Sequence, residues 1–186
     1  DGYDGKGVLS IKSKEDFREA FDVPSVLEKR VDIDKEISVI VARDQHGNSV
    51  NFPVVELVFD PVYNLVDYLI APAQLSERQK AKAQQLAQQV CDGLQSPGIF
   101  AVELFLSKEG EILVNETAPR AHNSGHHTIE ASISSQVDQH LRILLGLPLG
   151  STKSYPASAM INLVGSEGYT GKVAYKGIEK ISALEN

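Results

Sequence analysis

The chain has 186 residues, 42% of them apolar and 23% charged, a balance that supports a packed core and excludes wholesale disorder. Lys and Arg total 18 against 25 Asp and Glu, a formal charge of −7, which argues against a basic nucleic-acid footprint. No run approaches the ~18 apolar residues of a membrane span, and the single Cys91 excludes an internal disulfide framework and fits a reducing compartment. The expectation is therefore a soluble, cytoplasmic globular protein with no membrane or nucleic-acid partner.

The chain opens without an initiator Met on Asp1-Gly2-Tyr3-Asp4-Gly5-Lys6-Gly7, and its last residues close no element. Both ends read as cut, so the chain is expected to be an internal piece of a longer polypeptide. Gly2, Gly5 and Gly7 with Lys6 make a donor-rich loop able to close over phosphates through backbone amides. It is not a Walker A loop, and a plain turn is the alternative. Ser13-Lys14-Glu15-Asp16 resembles a capping box and predicts a short helix through Phe17, Ala20 and Phe21. Residues 25–30 are expected as a short strand, and Ile37 to Ala42 as a strand buried on both faces. Asp44 to Asn48 is a turn, with a hairpin partner expected over 49–55. Residues 56–73, broken by Pro61 and Pro72, read as an irregular loop with a strand near Tyr68 to Ala71.

Ser76-Glu77-Arg78-Gln79 is a full capping box, and Ala83, Leu86, Ala87, Val90, Cys91 and Leu94 recur on one helical face behind it. Cys91 on that face reads as core rather than as a reactive thiol. A second helix is expected to start at Thr128, carry Ile129, Ile133, Val137, Leu141 and Leu145 as its apolar face, and end at Gly146. From about residue 156, alternation at Ala159, Ile161 and Leu163 points to the strands of another unit.

The chemistry concentrates between the two helices. Ala101 to Leu106, Ser107 to Gly110 and Glu111 to Glu116 read as strand, turn and strand. If Leu106 pairs with Glu111, Glu103 faces Val114, and Glu116 lies diagonally from Glu103 on the same face, roughly 7–8 Å away. A solvated hairpin face is the bland alternative. However, both glutamates interrupt apolar runs, where an unpaired charge is costly. Hard oxygen ligands of this kind suit Mg²⁺, which shares its shell with substrate phosphates. Continued alternation would bring Ala118 and Arg120 to the same face. The following loop, Pro119 to Thr128, holds three of the five histidines. Zinc would need His122 and His126 on a helix, and Asn123-Ser124-Gly125 argues for a loop. Arg120, His122 and Asn123 together offer donors suited to a small anion such as bicarbonate or phosphate.

The order of these pieces resembles the ATP-grasp superfamily and, within it, the 5-(carboxyamino)imidazole ribonucleotide synthase family. The matching stretches are Gly2 to Gly7, the Glu28-Lys29-Arg30-Val31 run with Glu36 eight residues after Glu28, Asn115 to His126, and Gly146-Leu147-Pro148-Leu149-Gly150. The resemblance implies an α+β fold with a mixed or antiparallel sheet flanked by helices. It divides the chain into a remnant of the small lobe (1–27), the large lobe (28–150) and the start of a β-rich C-terminal unit (151–186). It also implies a carbon–nitrogen ligase of purine biosynthesis that uses ATP, Mg²⁺ and bicarbonate to carboxylate 5-aminoimidazole ribonucleotide through carboxyphosphate, as a homodimer.

By the same resemblance, Gly2, Tyr3, Asp4, Gly5, Lys6 and Gly7 cover the ATP phosphates. Glu28 and the backbone from Lys29 to Val31 hold adenine, and Glu36 holds the ribose. Glu103 and Glu116 bind the metal, and Arg120, His122 and Asn123 bind bicarbonate or carboxyphosphate. There are departures. Ala118 stands where many ATP-grasp enzymes have Asn, and Leu57 and Phe59 interrupt the usual E-N-x-H pattern. Two other readings are a formate-dependent glycinamide ribonucleotide transformylase, whose loop typically reads P-H-D-T-G, and a non-catalytic nucleotide-binding or dimerisation fragment. The isolated chain is expected to fold at least from Arg30 to Leu149 and to lack ligase activity.

Overall fold

Two strands that are apolar on both faces fix the centre of the sheet: β1 (Ile33–Arg43) and β5 (Gly98–Ser107). They pair antiparallel, with Ile37 opposite Leu104, Val39 opposite Val102 and Val41 opposite Phe100. The computed structural model describes residues 7–61, 65–165, 168, 170–172 and 174–183. Around the central pair it adds β2 (Ser49–Asn51), β3 (Val55–Phe59), β4 (Val66–Ala71), β6 (Ile112–Ala118) and β7 (Ser158–Ile161). The sheet runs β6-β5-β1-β3-β4-β7, with β2 beside β1, and every pairing among the described residues is antiparallel. The helices are α1 (Glu77–Leu94), α2 (Thr128–Ala131), α3 (Gln136–Leu144) and α4 (Ile178–Ser182). None of the described helices is long and apolar enough to cross a membrane.

Alternation along β1 and β5 sends residues to two separate cores. Ile37, Val39, Val41, Phe100, Val102 and Leu104 pack against Ala83, Ala87 and Cys91 of α1. Small residues at these α1 positions let the helix lie close on the sheet. Burial pushes the Cys91 thiol up to about 12, so it packs and does not react. Ser76 starts the helix as expected: its Oγ accepts from the Gln79 amide at 3.3 Å, and Gln79 Oε1 accepts from the Ser76 amide at 3.0 Å. On the opposite face Ile40, Ala42, Phe52, Ile99 and Ala101 meet Ile143 of α3.

Several expectations are corrected. Residues 25–30 form no strand and lie exposed. The segment near residue 15 is a 3-10 turn (Glu15–Glu19) with nothing buried. Only half of its box is made, the Asp16 carboxylate accepting from the Lys12 and Ser13 amides. The partner of β1 stops at Asn51, before Pro53, which has no amide to donate. The span 56–73 is no irregular loop but the hairpin β3–β4, Glu56 facing Ile70 and Leu57 facing Leu69. Pro61 and Pro72 sit outside the two strands, so neither breaks a ladder.

The largest correction concerns the second helix. It is split into α2 and α3, and Thr128 does not cap it. Ser135 caps α3, accepting from the Asp138 amide. The expected apolar face points outward, with Ile129, Ile133, Val137, Leu141 and Leu145 all exposed. The buried face carries Gln136 and Gln139 beside Ile143. Both amides are fully paired: Gln136 with the main chain of His122, Gln139 with the main chain of Gly150. Paired buried amides carry no desolvation penalty of the orphaned kind, so this polar face is a stable one to bury. Beyond it, β7 pairs with β4 and extends the same sheet, and α4 follows where strands were expected.

Candidate active site

Towards one end of the sheet the α3 face changes from apolar to polar. On β1 the sequence Ala42, Ile40 continues to Ser38 and Glu36; on β5, Ile99 and Ala101 continue to Glu103. Ser38 lies opposite Glu103 in the ladder, and Glu36 opposite Phe105. The next strand, β6, brings Glu116 directly opposite Glu103. The expected register is corrected here: Leu106 pairs with Ile112 and Val114 with Leu104, and the shift between Glu103 and Leu104 leaves Asn115 as the extra residue. Without that shift Glu103 would face Asn115. With it, the two carboxylates become cross-strand partners on one face.

The electrostatics follow from this packing. The Glu103 side chain is 12% exposed. Burial pushes its pKa up to about 7, and the charges of Glu116 and Glu36 add to the rise. Burial raises Glu36 as well. Glu116 lies on the edge strand and is exposed. The site therefore holds excess negative charge that a cation would relieve. Among the described residues no three or more His, Cys, Asp or Glu side chains form a metal cage. Two opposed carboxylates are nevertheless the usual protein share of a Mg²⁺ shell completed by phosphates and water.

The loop after β6 folds back onto this face. The strand ends at Ala118, so its alternation does not carry on to Arg120. Arg120 is exposed and donates from Nη1 to the Ala121 carbonyl at 3.0 Å. A 3-10 turn, Asn123–Gly125, then turns His122 inward. Its Nε2 stands 3.6 Å from Glu103 Oε1. Its Nδ1 lies 3.3 Å from the Ser124 amide and 3.0 Å from Ser124 Oγ, which in turn lies 2.9 Å from Ser38 Oγ. An amide can only donate, so Nδ1 accepts and the proton of the neutral ring resides on Nε2, facing Glu103. Burial, with the nearby Arg120 and His126, holds His122 below the usual histidine range, which favours that neutral ring. Asn123 exchanges amide hydrogen bonds with Asn162, which also donates to the Val66 carbonyl. The loop is thereby tied to the segment after β7.

The structure thus gathers Glu36, Glu103, Glu116 and His122, with Asn123 beside them. Glu28 and Lys29 lie on the exposed stretch before β1, with Val31 half-buried. Gly7 adopts a left-handed φ of 80°, whereas Gly2, Tyr3, Asp4, Gly5 and Lys6 lie outside the described residues. Ser38, Gln136 and Asn162 are not among the expected site residues, and Ser124 enters only as part of the stretch Asn115 to His126. Ser38 also left a signal, as the one polar residue in the run Ile37 to Ala42.

A family model for the ATP-grasp domain matches residues 1–137. The chain belongs to the ATP-grasp family. It is 41% identical over 170 residues to N5-carboxyaminoimidazole ribonucleotide synthase of Bacillus subtilis, a match covering 89% of this chain and 44% of that protein. Its fold superposes on the N5-carboxyaminoimidazole ribonucleotide synthetase of Thermotoga maritima with a TM-score of 0.86 and 47% identity, over 97% of this chain and 48% of that one. A third similar structure is the Aspergillus clavatus N5-carboxyaminoimidazole synthase in complex with ADP and 5-aminoimidazole ribonucleotide (TM-score 0.70, 35% identity, 75% and 37% covered). The chain therefore spans less than half the length of these ATP-grasp relatives. Their antiparallel sheet and flanking helices agree with the fold expected from the sequence.

Proposed function

We propose that this chain is the ATP-grasp portion of a ligase that carboxylates 5-aminoimidazole ribonucleotide with bicarbonate at the expense of ATP, in the cytoplasm, as a step of purine biosynthesis. The observation that carries the reading is the facing pair Glu103 and Glu116 with the His122 imidazole 3.6 Å from Glu103. It is supported by the activity for which the similar proteins are named and by the nucleotide and ribonucleotide bound to the Aspergillus relative.

In this reading Glu103 and Glu116 hold Mg²⁺, which when bound neutralises the ATP phosphates. A bicarbonate oxygen attacks the γ-phosphorus and ADP leaves, giving carboxyphosphate. The exocyclic amine of the ribonucleotide then attacks the carboxyl carbon, phosphate leaves, and the amine loses a proton. His122 offers Nε2–H, a neutral donor, to an oxygen of the anion. Arg120, exposed at the rim, supplies positive charge. Asn123, held by Asn162, fixes the loop and offers its amide. Glu36 takes the ribose, Glu28 and the backbone from Lys29 to Val31 the adenine, and Gly2 to Gly7 the phosphates. The division into residues 1–27, 28–150 and 151–186 belongs to the same proposal, as does a homodimer, which sedimentation analysis tests. Phosphate release from ATP by a polypeptide carrying this chain at the full length of its relatives tests the function. Dependence on both bicarbonate and 5-aminoimidazole ribonucleotide is expected, and turnover indifferent to either rejects it.

A further inference from the structure

We infer that Gln136 is a positioning residue: its buried carboxamide clamps the main chain of His122 and so sets the imidazole between Glu103 and the Ser124–Ser38 hydroxyls. The Gln136 residue is fully buried. Its Oε1 accepts from the His122 amide at 3.0 Å, and its Nε2 donates to the His122 carbonyl at 2.8 Å. One side chain thus satisfies both main-chain groups of one residue, as a neighbouring strand would, where the loop offers no strand. Its own amide donates to Thr128 Oγ1 at 2.9 Å, and Thr128 Oγ1 donates to the Gly125 carbonyl. Both ends of the loop 122–128 are therefore anchored at the first turn of α3.

The close packing of the loop explains its glycine. A β-carbon on Gly125 would stand 2.4 Å from Gln136 Oε1 and 2.5 Å from its Cδ, a distance no real contact shows. Glycine is needed there for approach, not for a left-handed backbone. Held in this way, His122 keeps an extended backbone (φ −135°, ψ 156°), and its ring reaches Ser124 on one side and Glu103 on the other. The outward-facing apolar stripe of α3 has the same origin, because turning that stripe inward would withdraw Gln136 from His122.

Gln139, one turn further on, provides the control. It is equally buried and clamps the Gly150 main chain by the same two bonds, at 2.8 and 2.9 Å, and neither of those bonds involves His122, Glu103 or Glu116. The inference rests on the proposed role of His122, and its test separates the two. Gln136→Ala and Gln139→Ala are made in the full-length protein and compared by thermal unfolding, by the imidazole ¹⁵N signals of His122 (assigned with His122→Gln), and by bicarbonate-dependent ATP turnover. Both variants should unfold at lower temperature. Only Gln136→Ala should move the His122 signals and lower kcat at least tenfold, with the KM for ATP held within about twofold. If Gln136→Ala fails to fold, Gln136→Met fills the same volume without either hydrogen bond and should give the same pattern. Unmoved His122 signals, or equal signal changes in Gln139→Ala, overturn the inference. Shifted signals with kcat unchanged in both Gln136→Ala and His122→Gln would support the clamp and reject the catalytic role of His122.

Discussion

Replacing Glu103 by Gln should stabilise the metal-free protein at alkaline pH while abolishing its chemistry. In the unfolded chain a glutamate titrates near 4.5; in the folded protein burial, Glu116 and Glu36 push Glu103 up to about 7. The native state therefore holds the proton more tightly between these values. The stabilisation linked to this proton is fully present below pH ~4.5 and is lost as pH rises through ~7. A shift of this size corresponds to roughly 3 kcal/mol between the two protonation states, an upper bound because Glu116 beside it is exposed and solvent screens the pair. The amide of the Glu103→Gln variant would carry no charge at any pH. Urea unfolding in the presence of a chelator should then show no more than ~0.5 kcal/mol difference between the variant and the parent at pH 4.5. At pH 8 the variant should gain about 2–3 kcal/mol. Equal differences at both pH values would show that Glu103 is not held in a repulsive buried setting, and the electrostatic argument for a cation site would fall.

Glu116→Gln should lower bicarbonate-dependent ATP turnover by at least ~100-fold in the full-length protein, since a lost metal ligand removes several kcal/mol of transition-state stabilisation; near-native steady-state rates would give Glu116 a structural role. Leu141, which is 53% exposed, should tolerate Ala within about 0.5 kcal/mol in chemical denaturation. Ile143→Ala, at a 4% exposed position in the core beneath α3, should cost about 2–5 kcal/mol; the reverse order would mean that the helix face is wrongly placed. Ser76→Ala should cost about 1 kcal/mol in the same assay, because it removes one half of the box that starts α1.

Where local patterns and tertiary demands coincide, the sequence was easily read. The α1 start at Ser76, its apolar face as far as Cys91 (Leu94, expected on it, is exposed) and the doubly buried β1 each follow from a rule about nearest neighbours along one element. The β5–β6 hairpin was legible, and so was the shared face of Glu103 and Glu116. Their register was not, because the extra residue at Asn115, which shifts the ladder between Glu103 and Leu104, leaves no local signal in the sequence. Residues 56–73 depart from the expected loop because Pro61 and Pro72 flank the strands β3 and β4 and do not interrupt them. Helix α3 presents to solvent the face that its periodicity assigns to the core. Periodicity counts apolar residues and cannot know that two glutamines have matching main-chain partners fourteen and eleven residues away in the sequence. His122 was found through its motif, but its setting among Ser38, Ser124 and Gln136 depends on contacts between distant parts of the chain.

Transfer of a carboxyl group to an amine by this ATP-grasp portion is open to an isotope experiment. The full-length protein would be supplied with ATP, Mg²⁺, ¹³C-bicarbonate and 5-aminoimidazole ribonucleotide, and followed by ¹³C NMR alongside ADP formation. A new carbamate carbon attached to the exocyclic amine is expected, appearing with one ADP per carboxylate and lost in Glu116→Gln. ADP formed without any labelled carbamate, or at a rate unaffected by omitting bicarbonate, would contradict it.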